Sequence, residues 1–331
     1  MYMRYPLPAN SLVDAPGRAR LDNNCYIVSF DWSNRTAIMG GEAMGLLDGK
    51  TAIVTGAGRG VGAAHARALS REGANVVIND LGTTAEGENT AELVAQELRE
   101  AGGRAVAHTG DISTMDGGRS LLEAALDSFG SANILVNNAG ILRDKSFVKL
   151  TEDDWDQVIG VNLKGFFAVT QPVFGWMKDN GGGVIVNTTS TSGLVGNLGQ
   201  ANYAASKAGV FGLSNTLAIE GQRFGIRVWT LAPTATSVLT APYMTEQQKL
   251  ELDPKHVAEA LLYMVSDLSG ERTGACLFAS GYGIRELRVI EAQGIDGPGK
   301  DSACDARAIA RAEDRLFRPE PKLTIADFGT R

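Results

Sequence analysis

The stretch that most narrows the possible folds of this chain runs from Thr51 to Gly73. Thr51–Thr55 is apolar and β-branched, a short strand of the kind buried in a sheet. It runs directly into Gly56-Ala57-Gly58-Arg59-Gly60-Val61-Gly62. A helical pattern follows from Val61 to Arg71, with Gly73 at its C′ position. Strand, glycine-rich turn and helix, in that order, give a glycine motif structural meaning. The glycines permit a tight turn and let the backbone approach a pyrophosphate. The helix N-terminus adds N–H donors and the positive end of its dipole. The spacing Gly56-x-x-x-Gly60-x-Gly62, preceded by Thr55, departs from the usual G-x-G-x-x-G, and a merely tight β–α turn is the other reading.

The same alternation continues. Asn75–Asn79 is a second strand ended by Asp80, and Thr90–Ala101 a helix stopped by Gly102 and Gly103. The third strand, Arg104–Thr109, leads to Asp111-Ile112. A helix over Thr114–Phe129 is stopped by Gly130. The fourth strand, Ile134–Asn137, runs into Asn138-Ala139-Gly140. Thr151 caps a helix expected to reach about Lys178; it carries Asn162 and Pro172 in its interior. Val184–Asn187 is a strand, Ser190–Gly199 a loop, and a long Ala-rich helix begins near Ala201. Strands at Ile226–Leu231 and Ala275–Ala279 flank a helix at Pro254–Ser266. Repeated βαβ units predict an α/β fold: a Rossmann-like, doubly wound, seven-stranded parallel sheet with helices on both faces.

This pattern occupies residues 44–285. Residues 1–43 carry Pro6, Pro8 and Pro16 and no sustained period. They are expected to be a poorly ordered extension, with an arm packing on a partner subunit as the alternative. Residues 286–331 are a charged tail with a helix expected at Ala303–Leu316.

Chemistry enters at the strand ends. Asp80 stands about 20 residues past the glycines, where a carboxylate can accept hydrogen bonds from the adenosine ribose. Its charge repels a 2′-phosphate and favours NAD over NADP. Arg59 pulls the other way, since a guanidinium in the glycine turn can meet that phosphate. Ser190 ends the strand at Val184–Asn187. Tyr203 and Lys207 are four residues apart on the next helix and share a face. A free phenol titrates near ~10, and a neighbouring ammonium lowers that value. Hydroxyl, phenol and ammonium together suit acid–base work on an alcohol or carbonyl. Tyr-x-x-x-Lys alone is a weak signal; a half-buried Tyr beside a solvated Lys is its bland reading. Asn162, polar amid Val161, Leu163 and Phe166, needs a partner or water unless it is exposed.

Composition removes other classes. The formal charge is −7, with no basic run, which argues against a nucleic-acid partner. The three Cys, Cys25, Cys276 and Cys304, are widely spaced and suggest neither metal site nor disulfide framework. No apolar run approaches ~18 residues, so no membrane span is expected. The N-terminus lacks an apolar signal core, and Gly329-Thr330-Arg331 is no recognisable address. A cytoplasmic protein acting on a small-molecule substrate is expected. His65, His108 and His256 stand apart and read as packing or surface residues. Ala204, Ala205, Ala208 and Gly212 give the long helix a small-residue face that could pair across a two-fold, as homodimer or homotetramer.

Thr55-Gly56-x-x-x-Gly60-x-Gly62, Asn137-Asn138-Ala139-Gly140, Asn162, Ser190 and Tyr203-x-x-x-Lys207 together resemble the short-chain dehydrogenase/reductase superfamily. The resemblance covers about residues 46–285, with Ser190 thirteen residues before Tyr203. More narrowly, three stretches resemble the (3R)-hydroxyacyl-CoA dehydrogenase domain of peroxisomal multifunctional β-oxidation enzymes and its bacterial stand-alone relatives. These are Val77–Gly82, Asn138–Phe147 and Gly196–Tyr203. The resemblance implies Tyr203 as catalytic acid/base, Lys207 lowering its pKa and holding the nicotinamide ribose, and Ser190 holding the substrate oxygen. Asn162 would fix a water in a proton relay. Gly56, Arg59, Gly60, Val61, Gly62 and Asp80 would line the phosphates and ribose. Asp111 and Ile112 would flank adenine, while Asn138, Ala139, Gly140 and Pro233 complete the cofactor wall. After Pro233 the family's Gly and its later Thr are missing, and Thr236 or Ser237 is the substitute. With no hydratase domain or peroxisomal signal, the protein is expected to act alone. The implied function is NAD-linked oxidation of a 3-hydroxyacyl thioester or similar secondary alcohol. An NADPH-dependent 3-oxoacyl or steroid ketone reductase is the alternative. A non-catalytic dinucleotide-sensing module fits less well, because all four polar positions are present.

Overall fold

Strands whose every residue is buried need cover on both sides, and the order of elements supplies it. The computed structural model describes residues 45–236, 244–290, 306–311 and 313–316. Its first half runs β1 (Thr51–Thr55), α1 (Gly60–Arg71), β2 (Asn75–Asn79), α2 (Thr90–Glu100), β3 (Ala105–His108), α3 (Met115–Phe129) and β4 (Ile134–Asn137). Then come α4 (Glu152–Ile159), α5 (Gly165–Asp179), β5 (Gly183–Thr188), α6 (Thr191–Val195) and α7 (Ala201–Gly221). The last strands and helices are β6 (Ile226–Pro233), α8 (Glu246–Glu251), α9 (Pro254–Val265), β7 (Cys276–Ser280) and β8 (Gly283–Leu287). The sheet order is β3-β2-β1-β4-β5-β6-β7-β8. The first seven strands are parallel, and the order reverses between β1 and β4.

Alternation along each strand divides the core in two. Ala52 and Val54, Val76 and Ile78, and Val136 and Val186 join Ala66, Leu69, Val94, Leu98 and Leu261 from α1, α2 and α9. Ile53, Val77, Leu135, Ile185 and Val228 face the other way, onto Leu121 and Ala125 of α3 and Val169, Val173 and Met177 of α5. Each fully buried aliphatic side chain contributes about 1.5–3 kcal/mol over its exposed state. Two such layers hold the C-terminal strand ends still.

Three expectations need correction. The sheet has eight strands, not seven. β8 pairs antiparallel with β7 through the short turn at Gly281-Tyr282. Arg285 and Glu286 on this half-exposed edge disguised it as tail, so the boundary expected after residue 285 divides a strand. The long helix from Thr151 is not continuous: Gly160–Lys164 forms a π-turn between α4 and α5. The Ser190–Gly199 loop contains the short helix α6. The Thr151 cap is as expected, a capping box with Asp154. In the tail, helix is present at Ala306–Arg311 and Glu313–Leu316. The extension over residues 1–43, Ser237 and most of the loop after Pro233 lie outside the described residues.

Candidate active site

The glycine turn is a bare cradle. Gly56 and Gly60 have φ of 62° and 56°, a region that favours glycine. A Cβ on Gly62 would lie 2.2 Å from the Gly56 carbonyl oxygen, and one on Gly58 would lie 2.3 Å from Thr90 Oγ1. Arg59 precedes α1 without a side-chain cap, and the first turn holds no acid. Uncapped N–H groups beside a turn with four glycines fit a pyrophosphate. Asn138 fastens β4 to this turn: Nδ2 donates to the carbonyls of Thr55 (3.0 Å) and Gly56 (3.1 Å). Thr55 Oγ1 accepts from the amides of Asn138 and Ala139 at 3.0 and 3.1 Å.

Asp80 braces the turn. Its carboxylate accepts from Gly58 N at 2.9 Å and Gly82 N at 2.7 Å, tying the end of β2 to the glycine turn. Arg59 lies over Gly82, since a Cβ there would meet its guanidinium at 2.1 Å. Asp80 and Arg59 therefore share one corner. Asp111 and Ile112 follow β3 as expected. Asp111 Oδ1 accepts from Ser113 N at 2.9 Å, and Ile112 is buried. Pro233 is the last residue of β6. The Thr236 hydroxyl lies 3.6 Å from Met244 Sδ, so it already has a partner.

Ser190, Asn162, Tyr203 and Lys207 come together from three separate elements. Ser190 caps α6, its Oγ accepting from Ser192 N at 3.1 Å, and it is hydrogen-bonded to the Tyr203 phenol. Asn162 sits in the π-turn, fully buried, which rules out the exposed alternative. Its carboxamide takes the Ile141 amide at 2.8 Å and gives to the Ile141 carbonyl at 3.0 Å. Widening the helix by one residue aims this side chain inward, a common device at functional sites. Gly140 faces both groups: a Cβ there would lie 3.3 Å from Asn162 Oδ1 and 3.7 Å from Lys207 Nζ.

The electrostatics differ from the expected ammonium-lowered phenol. Lys207 is buried, and Nζ donates to the Thr188 carbonyl at 2.8 Å, 5.8 Å from the Tyr203 ring centroid. Burial alone brings the Lys207 pKa down to about 7. The Tyr203 phenol is raised, chiefly by desolvation; the Ser190 hydrogen bond pulls it down and the Asp144 charge pushes it up. Low polarity penalises both ions separately, and Lys207 is not among the groups that shift the phenol.

Several residues had no assigned role from the sequence. Thr188 supplies the lysine's acceptor. Gly193 lets α6 press on α7, since a Cβ would lie 2.7 Å from Ala208 N. Gln200 donates to Asp144 at 2.7 Å and accepts from Ser192 Oγ at 3.0 Å, joining the loops on either side of Tyr203. Its position three residues before Tyr203 was the available signal. Of the histidines, His65 is buried without a hydrogen-bond partner and His108 is fully hydrogen-bonded. No group of His, Cys, Asp and Glu among the described residues could hold a metal ion.

Known proteins resemble this chain over most of the described sheet and its helices. The family model for short chain dehydrogenases matches residues 50–249. Peroxisomal multifunctional enzyme type 2 of Drosophila melanogaster is 42% identical over 251 residues, 75% of this chain but 41% of that protein. The chain thus spans less than half of that relative. Hydroxyacyl-CoA dehydrogenase ChsB1 of Mycobacterium tuberculosis is 36% identical over 249 residues, covering 71% of this chain and 78% of that one. The crystal structure of a short chain dehydrogenase from Mycobacterium avium superposes with a TM-score of 0.71 at 34% identity, covering 82% of this chain and 96% of the other.

Proposed function

Because this chain belongs to the short-chain dehydrogenase/reductase family, oxidoreductases that work with a nicotinamide dinucleotide, we propose that it transfers hydride between NAD and a secondary alcohol. The alcohol is a (3R)-3-hydroxyacyl thioester or a similar substrate, a class supported by the relative named a hydroxyacyl-CoA dehydrogenase. The observation that carries the reading is the Tyr203 phenol, hydrogen-bonded to Ser190 and one helical turn from a buried lysine.

The dinucleotide supplies the hydride acceptor. The chain's own groups handle the proton and the alignment. Tyr203 takes the hydroxyl proton in oxidation and returns it in reduction. Ser190 donates to the substrate oxygen as its charge changes. Phenolate and ammonium formed together stabilise each other in a dry site, so their separate burial penalties are offset as a pair. Lys207 also holds the nicotinamide ribose, and a water beside Asn162 passes the proton onward. The glycine turn and the start of α1 hold the pyrophosphate. Asp80 accepts from the adenosine ribose, Asp111 and Ile112 border adenine, and Asn138 to Gly140 with Pro233 form the nicotinamide side.

The second reading, an NADPH-dependent 3-oxoacyl or steroid ketone reductase, is favoured by Arg59 beside Asp80. The test is turnover of the purified chain with NAD and NADP separately. The panel is (3R)- and (3S)-3-hydroxyacyl-CoA and hydroxysteroids, with the matching ketones. NAD reduction by the (3R) thioester is the expected result. Turnover only of ketones with NADPH moves the assignment to the second reading, and no dinucleotide-linked turnover at all overturns both. We further propose a homodimer or homotetramer, since Ala205, Ala208 and Gly212 on α7 are exposed; light scattering on the purified chain decides it.

A further inference from the structure

His108, the last residue of β3, has both ring nitrogens engaged. Nδ1 lies 3.1 Å from Asn79 Nδ2 and 3.3 Å from the Gly110 amide nitrogen. Both neighbours are donors. The Asn79 carboxamide is oriented independently, because the same Nδ2 donates to the carbonyls of Gly110 at 2.9 Å and His108 at 3.3 Å. Nε2 lies 3.1 Å from Ser120 Oγ, whose hydroxyl donates to the Gly117 carbonyl at 3.1 Å and therefore accepts from the ring. These partners dictate one state: a neutral imidazole with its hydrogen on Nε2 and a lone pair on Nδ1. A second proton would aim an N–H at two N–H groups.

The ring's position gives that requirement a consequence. Asn79 directly precedes Asp80, and Gly110 directly precedes Asp111. The Asp80 amide also donates to the His108 carbonyl at 3.2 Å. One imidazole thus ties together the two segments that border adenosine in the reading above, on which this inference rests.

We propose that His108 is a positioning residue for the adenosine half of the dinucleotide site, and that it works only as the neutral imidazole, so dinucleotide affinity falls in acid through this ring. Burial holds the His108 pKa below the ordinary imidazole value, which places the loss on the acid side. Nearby carboxylates are engaged elsewhere, Asp80 with Gly58 and Gly82, Asp111 with Ser113. On α2, Glu92, Glu97, Arg99 and Glu100 occupy exposed positions. So do Asp116, Arg119, Glu123 and Asp127 on α3. No charge stands in for the lost lone pair.

The test is NADH affinity by fluorescence titration between about pH 7.5 and 5.5, for the wild type, His108→Asn and His108→Ala. Asparagine places an acceptor oxygen near the Nδ1 position and does not titrate. Lys207, Asp80 and Asp111 are common to all three proteins, so the ratio of dissociation constants isolates the ring. Relative to His108→Asn, the wild type is expected to weaken about two-fold or more over this range. His108→Ala should bind several-fold more weakly at every pH, because the Gly110 amide loses its acceptor and the Asn79 carboxamide loses contact with the ring. Ser120→Ala, which keeps the ring but frees it, should weaken binding while retaining the pH dependence; this variant carries the test if His108→Ala does not fold. A wild type and His108→Asn with the same pH dependence, or His108→Ala binding as the wild type does, overturns this inference alone. A wild type that binds no dinucleotide at pH 7.5 overturns the cofactor reading beneath it.

Discussion

Lys207 Nζ donates to the Thr188 carbonyl oxygen at 2.8 Å, and this bond fixes where the ammonium of α7 meets the end of β5. The same nitrogen lies 4.8 Å from the Phe166 ring centroid, inside an apolar wall. One acceptor and two aromatic faces do not replace bulk water, so the amine titrates at about 7 instead of about 10.5.

A site built this way is held at the expense of stability. The folded pKa of Lys207 lies below its unfolded value, so the unfolded chain binds more protons between about pH 7 and 10.5, and stability rises with pH across that window. Lys207→Met removes the penalised charge. It is expected to abolish turnover and to raise Tm at neutral pH, by about 2–4 °C for each kcal/mol regained. Calorimetry and a rate assay check the two halves; a lower Tm would mean that the Thr188 bond outweighs the burial penalty.

Tyr203→Phe keeps the ring and deletes the hydroxyl proposed to carry the proton. Turnover is expected to fall roughly a hundred- to ten-thousand-fold while NADH affinity stays near that of the wild type. Turnover within a few-fold of the wild type would remove the phenol from the reaction.

Asp80→Ala removes the brace across Gly58 and Gly82 together with the proposed ribose acceptor. NAD affinity should fall, and the ratio of NAD to NADP affinity should shift toward NADP by about tenfold, near 1.4 kcal/mol. Titration with each cofactor reads this directly. An unchanged ratio means that Arg59 and the backbone set the preference.

Asp144 raises the Tyr203 pKa through its charge and accepts from Gln200 at 2.7 Å. Asp144→Asn keeps an acceptor for Gln200 and loses the charge. The pH at which the Tyr203 limb of the kcat profile turns should move to lower pH, by about a few tenths of a unit because the carboxylate is exposed. A shift to higher pH contradicts the assignment of that charge.

His65 is buried in α1 with neither ring nitrogen hydrogen-bonded, and burial brings its pKa down to about 3. The folded chain holds it neutral while the unfolded chain protonates it below about 6.5. Its contribution is therefore fully present above about pH 6.5 and lost progressively toward pH 3, at up to about 1.4 kcal/mol per pH unit. His65→Leu is expected to flatten this acid limb in urea titrations at several pH values, without loss of stability at pH 7. An acid limb of unchanged slope would assign it to other groups.

Much of this was legible because it depends on local physics. The β1 run and its glycines announce a strand, a turn with positive φ and a helix start, all decided within a dozen residues. Thr151 and Asp154 announce their capping box in the same way. Tyr203 and Lys207 share a helix face whatever surrounds them. The edge strand β8 was not legible, since Ile284, Arg285 and Glu286 in succession are all exposed and leave no alternating pattern to tell the strand from a tail. The π-turn at Asn162 was not legible either. One extra residue in a helical turn leaves no periodic trace over five residues, and only the bond from the Gly165 amide back to the Gly160 carbonyl makes it visible.

The amino-acid order by itself determined the succession of strands and helices, the glycine turn, and which side chains share a face with the phenol, because spacing and backbone preference are properties of neighbouring residues. The tertiary structure alone decided what surrounds those side chains. It placed Lys207 in a dry pocket against Thr188, set the Asp144 charge and the Ser190 hydroxyl on the phenol, and closed His108 onto Asn79 and Gly110. Solvation and hydrogen bonding are set by groups brought together from distant parts of the chain, and it is these, not residue type, that fix when a proton is held or released.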